Sequence, residues 1–278
     1  MLGGTYVNQQ IRNNNVERFK GFGTLYDQNR PAAPFEVVEI LTRYLGKKPR
    51  FVADVGCGTG LSTWIWLDHA ERIIGVEPSE DMRSVGIGKW EAAGKPDQLR
   101  FASGMSHDLG LPDDSVDILT CSQSFHWMEP KTTLKEFARV LRPGGIFAAY
   151  DCDWPPALDW QLEAAYQQLV STADQLAADL SNAQERAHKW SKEGHMNQIQ
   201  QSGLFRYSRE IVFHHYERFT ADRYANLALS QGGLQTALKL GATELNEMAD
   251  DFRRQAELVF SGKSKEVLFS YRMRMGIV

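Results

Sequence analysis

The feature that most constrains the fold is an alternation of strand-like and helical segments from about residue 35 to residue 150. The helical spacing of apolar residues in "PFEVVEILTRYLG" is followed by the short apolar run "RFVADV". "LSTWIWLDHA" then predicts a helix and "RIIGVE" a second strand, and the alternation continues to the fifth strand, "IFAAYDCD". This order predicts a parallel, doubly wound α/β sheet, whose ligands bind beyond the carboxyl ends of the strands.

The pattern changes after Pro155-Pro156. Apolar residues recur at steps of four and three from Leu162 to Trp190, which predicts a long helix or a helix pair. Such a stripe fits either a lid packed on its own domain or a coiled-coil dimer, and the three alanines in it favour the lid. Residues 206–220 predict a sixth strand, residues 222–260 a second helical stretch, and "EVLFSYRMRMGIV" a last strand.

Composition argues against several classes of function. The 278 residues include 31 basic and 35 acidic side chains, a net charge of −4, whereas a nucleic-acid binder would carry a basic stripe. Cys57, Cys121 and Cys152 form no disulfide framework, and no apolar run approaches the ~20 residues that span a bilayer. No His, Cys, Asp and Glu pattern has the spacing of metal ligands. We therefore expect a cytoplasmic protein with no membrane segment, no nucleic-acid partner and no metal, either a monomer or a homodimer.

A glycine-rich loop follows the first strand. "DVGCGTGL" places Asp54, Gly56, Gly58 and Gly60 at alternate positions. The dinucleotide-binding fingerprint GxGxxG would need its third glycine at Leu61, so the spacing argues against an NAD-dependent oxidoreductase.

The motif resembles the cofactor loop of class I S-adenosylmethionine-dependent methyltransferases. Three further blocks match the family in order: "GVEPS", "LPDDSVDILTCSQSFHW" and "VLRPGG". The likeness covers roughly residues 15–153 and is nearest to small-molecule enzymes of the trans-aconitate and ubiquinone/biotin-pathway type. It implies a mostly parallel, Rossmann-like seven-stranded sheet with an antiparallel last strand and an added helical lid.

The same resemblance divides the chain into four parts. Residues 1–34 would be an N-terminal segment that covers the cofactor, and residues 35–154 the S-adenosylmethionine-binding core. Residues 155–205 would be a helical lid insertion. Residues 206–278 would complete the sheet and carry a second helical insertion.

The resemblance also assigns cofactor contacts residue by residue. Glu77 would accept both ribose hydroxyls, and Asp54 would lie near the methionyl amino group. Met105 stands where the family often has an aspartate that holds adenine, with His107 or Asp108 as possible substitutes. The expected cofactor-binding residues are Tyr26, Arg30, Asp54, Gly56, Gly58, Gly60, Glu77, Pro78, Met82, Met105, Ser106, Ser122 and Gln123.

The methyl acceptor would bind where the fourth and fifth strands end. His126 is the candidate general base, although packing in the pocket wall is the alternative role, and Trp127 and Trp154 are candidate substrate contacts. The predicted function is methyl transfer from S-adenosyl-L-methionine to O, N or S of a small molecule, carboxylates included. The alternatives are a tRNA or protein methyltransferase and a non-catalytic S-adenosylmethionine-binding protein.

Overall fold

The strands follow the predicted order along the chain. The computed structural model describes residues 14–16, 21, 23–182 and 187–278. Its strands are β1 (Phe51–Val55), β2 (Arg72–Val76), β3 (Leu99–Ala102), β4 (Val116–Ser122), β5 (Leu141–Cys152), β6 (Tyr207–Phe219) and β7 (Lys265–Ile277).

These strands form one seven-stranded sheet in the order β3-β2-β1-β4-β5-β7-β6. Pairing is parallel from β3 to β5, whereas β7 runs antiparallel to both β5 and β6. The predicted doubly wound sheet with an antiparallel last strand is confirmed. The order also brings the carboxyl ends of β2, β1 and β4 side by side, because β1 lies between the other two.

Helices connect β2 to β3, β4 to β5, β5 to β6 and β6 to β7, and helices of the last two connections pack on one another. They are α1 (Gly23–Asn29), α2 (Glu36–Leu45), α3 (Glu80–Ala92), α4 (Pro130–Val140), α5 (Trp160–Leu180), α6 (His195–Gln201), α7 (Ala221–Leu229), α8 (Gly232–Lys239) and α9 (Leu245–Phe260). Gly46 ends α2 in the left-handed conformation, with φ of 74°. None of the described helices is long and apolar enough to cross a bilayer.

The segment "LSTWIWLDHA" is not the α-helix that its pattern predicts. It holds only a short 3₁₀ turn, Trp64–Trp66. The hydroxyls of Ser62 and Thr63 donate to the Asp54 carboxylate at 2.6 and 2.8 Å, and the backbone N–H groups of residues 63 and 64 both donate to the Gly60 carbonyl. The next backbone bonds, from Trp66 N–H to Thr63 and from Leu67 N–H to Trp64, span three residues and give the 3₁₀ form.

The heptad stripe packs within its own chain over the part that is helical. Leu162, Tyr166, Leu169 and Ala173 on α5 are buried in the same core cluster as residues of α7, α8 and α9. The helix ends at Leu180 rather than continuing to Trp190, because Ser181 turns extended and its hydroxyl donates to the Ala177 carbonyl at 2.6 Å. The stripe position Ala183 lies outside the described residues.

Candidate functional site

A cleft crosses the carboxyl ends of the parallel strands. It encloses about 1250 Å³, counting the part that is open to solvent. Its walls come from the segments that follow β1, β2, β3, β4 and β5, from α1 and the residues after it, and from Tyr271 on β7. Thirteen of the sixteen residues predicted for the site line it: Tyr26, Arg30, Gly56, Gly58, Glu77, Pro78, Met82, Met105, Ser106, Ser122, Gln123, Trp127 and Trp154. The other three, Asp54, Gly60 and His126, lie behind the wall.

Gly58 and Gly60 of the motif serve two different purposes. Gly58 has φ of 56°, and an added Cβ would meet only the Met82 methyl, at 3.2 Å, so the backbone here is open to the cleft. A Cβ on Gly60 would lie 2.8 Å from the Phe101 ring. Gly60 is therefore required by packing against β3 and not by the wall of the cleft.

Glu77 is a buried carboxylate held in a fixed orientation. Its side chain follows β2, is 7% exposed, and accepts the N–H groups of Gly58 and Ser79, each at 2.9 Å. Burial raises the pKa of Glu77, while the two backbone donors lower it. Each oxygen keeps further lone pairs, so the carboxylate can still accept two hydroxyl donors from a ligand.

Asp54 organises the loop from beneath the cleft. Its side chain is 0% exposed, and its carboxylate accepts the hydroxyls of Ser62, Thr63 and Thr120 at 2.6 to 2.9 Å. Burial raises the pKa of Asp54, against the effect of these three donors. The carboxylate thus joins β1 to β4 and to the turn after the glycine loop, and its oxygens do not reach the cleft.

The segment after β3 replaces the missing aspartate with a small hairpin. Met105 forms a bridge with Asp108, whose N–H donates to the Met105 carbonyl at 2.9 Å. Ser106 shares a hydrogen bond with Thr133 of α4 at 2.8 Å. Of the two predicted substitutes, His107 lines the cleft and Asp108 does not.

Arg30 joins the N-terminal segment to the helical layer. Its guanidinium lies over the rings of Tyr26 and Trp154, at 5.3 and 5.0 Å from the ring centres. Nη2 donates to the Ser230 carbonyl and to Gln231 Oε1, at 3.2 and 2.9 Å. Nε is buried and has no hydrogen-bond partner among the described residues. Arg30 as a whole lines the cleft, where a guanidinium can pair with a carboxylate.

Gln123 ends β4 in a strained position. Its backbone has φ of 53°, which is uncommon for a residue with a Cβ, and its N–H donates to the Tyr150 carbonyl at 2.9 Å. The side-chain Oε1 accepts the ammonium of Lys192 at 3.0 Å. The backbone of Gln123 is therefore held by Tyr150 on β5, and its amide oxygen by Lys192, which pairs with Asp151 on the same strand.

His126 belongs to a buried ionic cluster behind the cleft wall. Asp151 on β5 is the centre of this cluster: Lys192 Nζ lies 2.9 Å from its carboxylate, Arg274 Nη1 3.7 Å, His126 Nδ1 3.5 Å and His195 Nδ1 3.7 Å. Burial lowers the pKa of His126 and of His195 to about 4, although Asp151 opposes the shift. Although burial raises the pKa of Asp151, the contacts with His126 and Lys192 hold it below its usual range.

Sequence reasoning missed most of this cluster. Arg274, a charged residue within the apolar run of β7, was the available signal, since such a residue needs a partner when buried. Nothing in the sequence marked Lys192 or His195. No group of three or more His, Cys, Asp or Glu side chains in the described ranges is arranged to hold a metal.

Comparison with known families decides what this cleft belongs to. Residues 53–149 match the methyltransferase domain family. These residues form a methyltransferase domain. The domain is of the class I type that uses S-adenosylmethionine, and it contains β1 to β4, α3, α4 and most of β5.

Relatives of the methyltransferase domain come from bacteria and eukaryotes. An uncharacterized methyltransferase of Mycobacterium tuberculosis is 33% identical over 120 residues, which are 43% of this chain and 46% of that protein. The ubiquinone/menaquinone biosynthesis C-methyltransferase UbiE of Campylobacter jejuni is 31% identical over 49% of this chain and 62% of its own length. The chain spans about half the length of the curated relatives it matches.

Solved structures share the fold over most of the chain. A candidate type II methyltransferase from Anaeromyxobacter dehalogenans superposes with a TM-score of 0.67 and 19% identity, covering 89% of this chain and 97% of that one. The YcgJ protein of Bacillus subtilis gives 0.53 and 18%, over 88% and 98% of the two chains. The fold beyond residues 53–149 is thus shared as well.

The cleft of the methyltransferase domain fits its cofactor. Glu77 can accept the two ribose hydroxyls, and the open backbone at Gly58 leaves room above the loop. Arg30 lines the same cleft, and its guanidinium can pair with a methionyl carboxylate. These groups line one continuous cleft, as a ligand with an amino acid at one end and a nucleoside at the other requires.

Proposed function

We propose that the chain is an S-adenosylmethionine-dependent methyltransferase that acts on a small-molecule acceptor. The observation that carries the proposal is a single cleft with a fixed, buried carboxylate at the end of β2 and an aromatic wall beside β5. The net charge of −4 favours a small molecule over a nucleic acid as the acceptor. The related UbiE protein, a biosynthetic C-methyltransferase by its name, is consistent with that class.

The strand order divides the cleft into two halves. Strands lie about 4.8 Å apart, so the segments after β2 and β5 are about 14 Å apart across β1 and β4. We define the cofactor half as Gly56, Gly58, Glu77, Pro78, Met82 and residues 104–107. The acceptor half comprises Trp127, Met128, Glu129, Trp154 and Tyr271, and Ser122 to Ser124 lie at the junction of the two halves. Tyr26 and Arg30 also line the cleft, in keeping with the covering role proposed for residues 1–34.

The two helical insertions, residues 155–205 and the helices within 206–278, would close the acceptor half. Arg30 supports this role because it bonds the connection between α7 and α8 while it lines the cleft. Closure of this kind excludes water from a transfer reaction.

The chain's own residues would act mainly by orientation. S-adenosylmethionine, when bound, supplies an electrophilic methyl group. Ser122 and Gln123 stand where the two halves meet, and the hydrogen bond from Gln123 N–H to Tyr150 fixes that junction. His126 has no access to the cleft, so we assign it a packing role beside Asp151 rather than that of a base. Proximity and alignment can supply most of such a rate.

Calorimetry tests the proposal directly. Wild-type protein is titrated with S-adenosylmethionine, S-adenosylhomocysteine and NAD, and we expect micromolar binding of the first two alone. Glu77→Gln should weaken S-adenosylhomocysteine binding by about 1.5–3 kcal/mol, the range for hydrogen bonds to a charged group. Glu80→Gln, an exposed neighbour on α3, is the matched control. Equal affinity of the wild type and Glu77→Gln would refute the ribose assignment, and NAD binding would refute the function.

A further inference from the structure

The hydrogen bond to Lys192 fixes the orientation of the Gln123 amide, and this orientation determines which ligand groups the amide can bind. Lys192 Nζ lies 3.0 Å from the terminal oxygen of Gln123 and 2.9 Å from Asp151 Oδ1. An ammonium group donates three hydrogen bonds and accepts none, so the amide atom that faces it must be the oxygen. The NH₂ group therefore points away from Lys192. It has no hydrogen-bond partner among the described residues, on a side chain that lines the cleft.

Lys192 itself is held by charges from three neighbouring elements. Asp151 on β5 faces it, and Arg274 on β7 shares that carboxylate at 3.7 Å while donating to Glu210 on β6 at 2.7 Å. The two cations and two carboxylates cancel in net charge. Lys192 thus orients Gln123 and does not add a net positive charge to the cleft.

Glu129 is the carboxylate that lines the acceptor half within the described residues. Its two oxygens accept the backbone N–H groups of Lys131 and Thr132, which fixes it as the cap of α4. Burial raises the pKa of Tyr271 well above its usual range, which keeps that phenol protonated and able to donate. His126 lies behind the wall. An acceptor bound here meets the Gln123 and Tyr271 donors, and we expect it to arrive without a proton that the transfer would have to remove.

We propose that Lys192 is a positioning residue that turns the Gln123 NH₂ group toward the acceptor, and that Gln123 thereby selects acceptors whose reacting group carries an anionic oxygen. Carboxylates and phenolates share this chemistry. An oxygen lone pair of the acceptor forms the new C–O bond, the sulfonium C–S bond breaks with its electrons left on sulfur, and no proton moves. This inference rests on the proposed methyltransferase function and specifies its substrate class.

The test uses three matched panels of small molecules with the full chain and S-adenosylmethionine: carboxylic acids, acidic phenols that are ionised at the assay pH, and the corresponding amides and anilines, which carry no charge. Formation of S-adenosylhomocysteine and of methylated product is followed by mass spectrometry. We expect turnover in the carboxylate or the phenol panel, and the panel that responds distinguishes the two sources of anionic oxygen. The best acceptor is then used to compare variants.

Lys192→Met and Gln123→Glu should each lower kcat/KM for that acceptor at least tenfold, mainly through KM, and leave the Kd of S-adenosylhomocysteine within twofold. Lys192→Arg should restore much of the loss, because arginine also only donates. Arg272→Met is the matched control. Arg272 pairs with Asp153 and with Glu210, the carboxylate that also binds Arg274, and it does not line the cleft. This substitution should leave KM unchanged.

Three results would overturn the inference. One is wild-type activity confined to the neutral panel, or absent from all three panels in a protein that binds S-adenosylhomocysteine. The second is an unchanged KM in Lys192→Met. The third is a loss of S-adenosylhomocysteine affinity equal to the loss of turnover, which would assign Gln123 to the cofactor. Failure of the wild type to bind S-adenosylhomocysteine at all would instead refute the proposed function and, with it, the inference.

Discussion

The two buried histidines make stability depend on pH in a window set by their own pKa values. His126 and His195 are 4% and 0% exposed, and both ring nitrogens of His195 lack hydrogen-bond partners in the described part of the chain. Their pKa values fall from 6.5 to about 4 on folding. Between these values the unfolded chain binds more protons than the folded chain, so the free energy of unfolding falls as pH falls.

The size of the effect follows from the shift. Lowering pH from 8 to 5 should cost about 2 kcal/mol of unfolding free energy for each histidine, and about 4 kcal/mol for both. The pKa of Asp151 is lowered on folding, so this carboxylate stays ionised throughout the window and contributes little slope. Asp54 and Glu77 have raised pKa values and act with the opposite sign, since their contribution is lost as pH rises. They are common to every variant and cancel in a comparison.

The measurement is urea unfolding at pH 8, 7, 6 and 5 and constant ionic strength, followed by tryptophan fluorescence. Wild type is compared with His195→Leu, which removes an imidazole that cannot be protonated without cost, and with His214→Gln on the exposed side of β6. His195→Leu should lose about half of the pH dependence, and His214→Gln should behave as wild type. Parallel curves for wild type and His195→Leu, or a wild type more stable at pH 5 than at pH 8, would refute the reasoning.

Three further substitutions test the loop. Gly58→Val should leave a folded protein that no longer binds S-adenosylhomocysteine in calorimetry, because its side chain would project where the backbone is open to the cleft; retained affinity would contradict this placement. Gly60→Ala should lower the free energy of unfolding in urea by about 2 to 5 kcal/mol, because it adds left-handed backbone strain and overpacks Phe101. The additional substitution Phe101→Leu should recover part of this loss. Equal stability of Gly60→Ala and wild type would count against the packing role. Thr120→Val should lower the free energy of unfolding by about 1.5–3 kcal/mol in the same assay, because it removes one hydrogen-bond donor to Asp54. Thr132→Val, at an exposed position of α4, is the reference for the loss of a hydroxyl group near the surface.

The sequence was informative wherever a feature is local. Strand and helix periodicity predicted the sheet, because short apolar strands alternate with amphipathic helices in the sequence itself. The glycine spacing and the carboxylate at the end of β2 predicted the loop and Glu77, since both lie within a few residues of a strand end. Gly60 matched the motif, yet its partner Phe101 lies on β3, so its role in packing was visible only in three dimensions.

Long-range pairs could not be predicted. Lys192 and Gln123 are 69 residues apart, and Arg30 and Gln231 are 201 residues apart, with no pattern linking them. The turn that stands in place of the helix predicted for "LSTWIWLDHA" is tied to Asp54, a residue of the preceding strand, by the hydroxyls of Ser62 and Thr63. Each of these features arises when the sheet brings distant segments together, which residue spacing does not encode.

The position of β7 has a consequence for how the protein is made. β7 follows β6 in the chain, yet it lies between β5 and β6 in the sheet. β6 pairs only with β7 in this sheet, so during synthesis it has no partner strand until residues 265–277 are available to pair with both β5 and β6. Tyr271 and Arg274 come with that strand, so the methyltransferase domain can form its cofactor half while the chain is still growing, but the acceptor half is completed only when β7 is inserted.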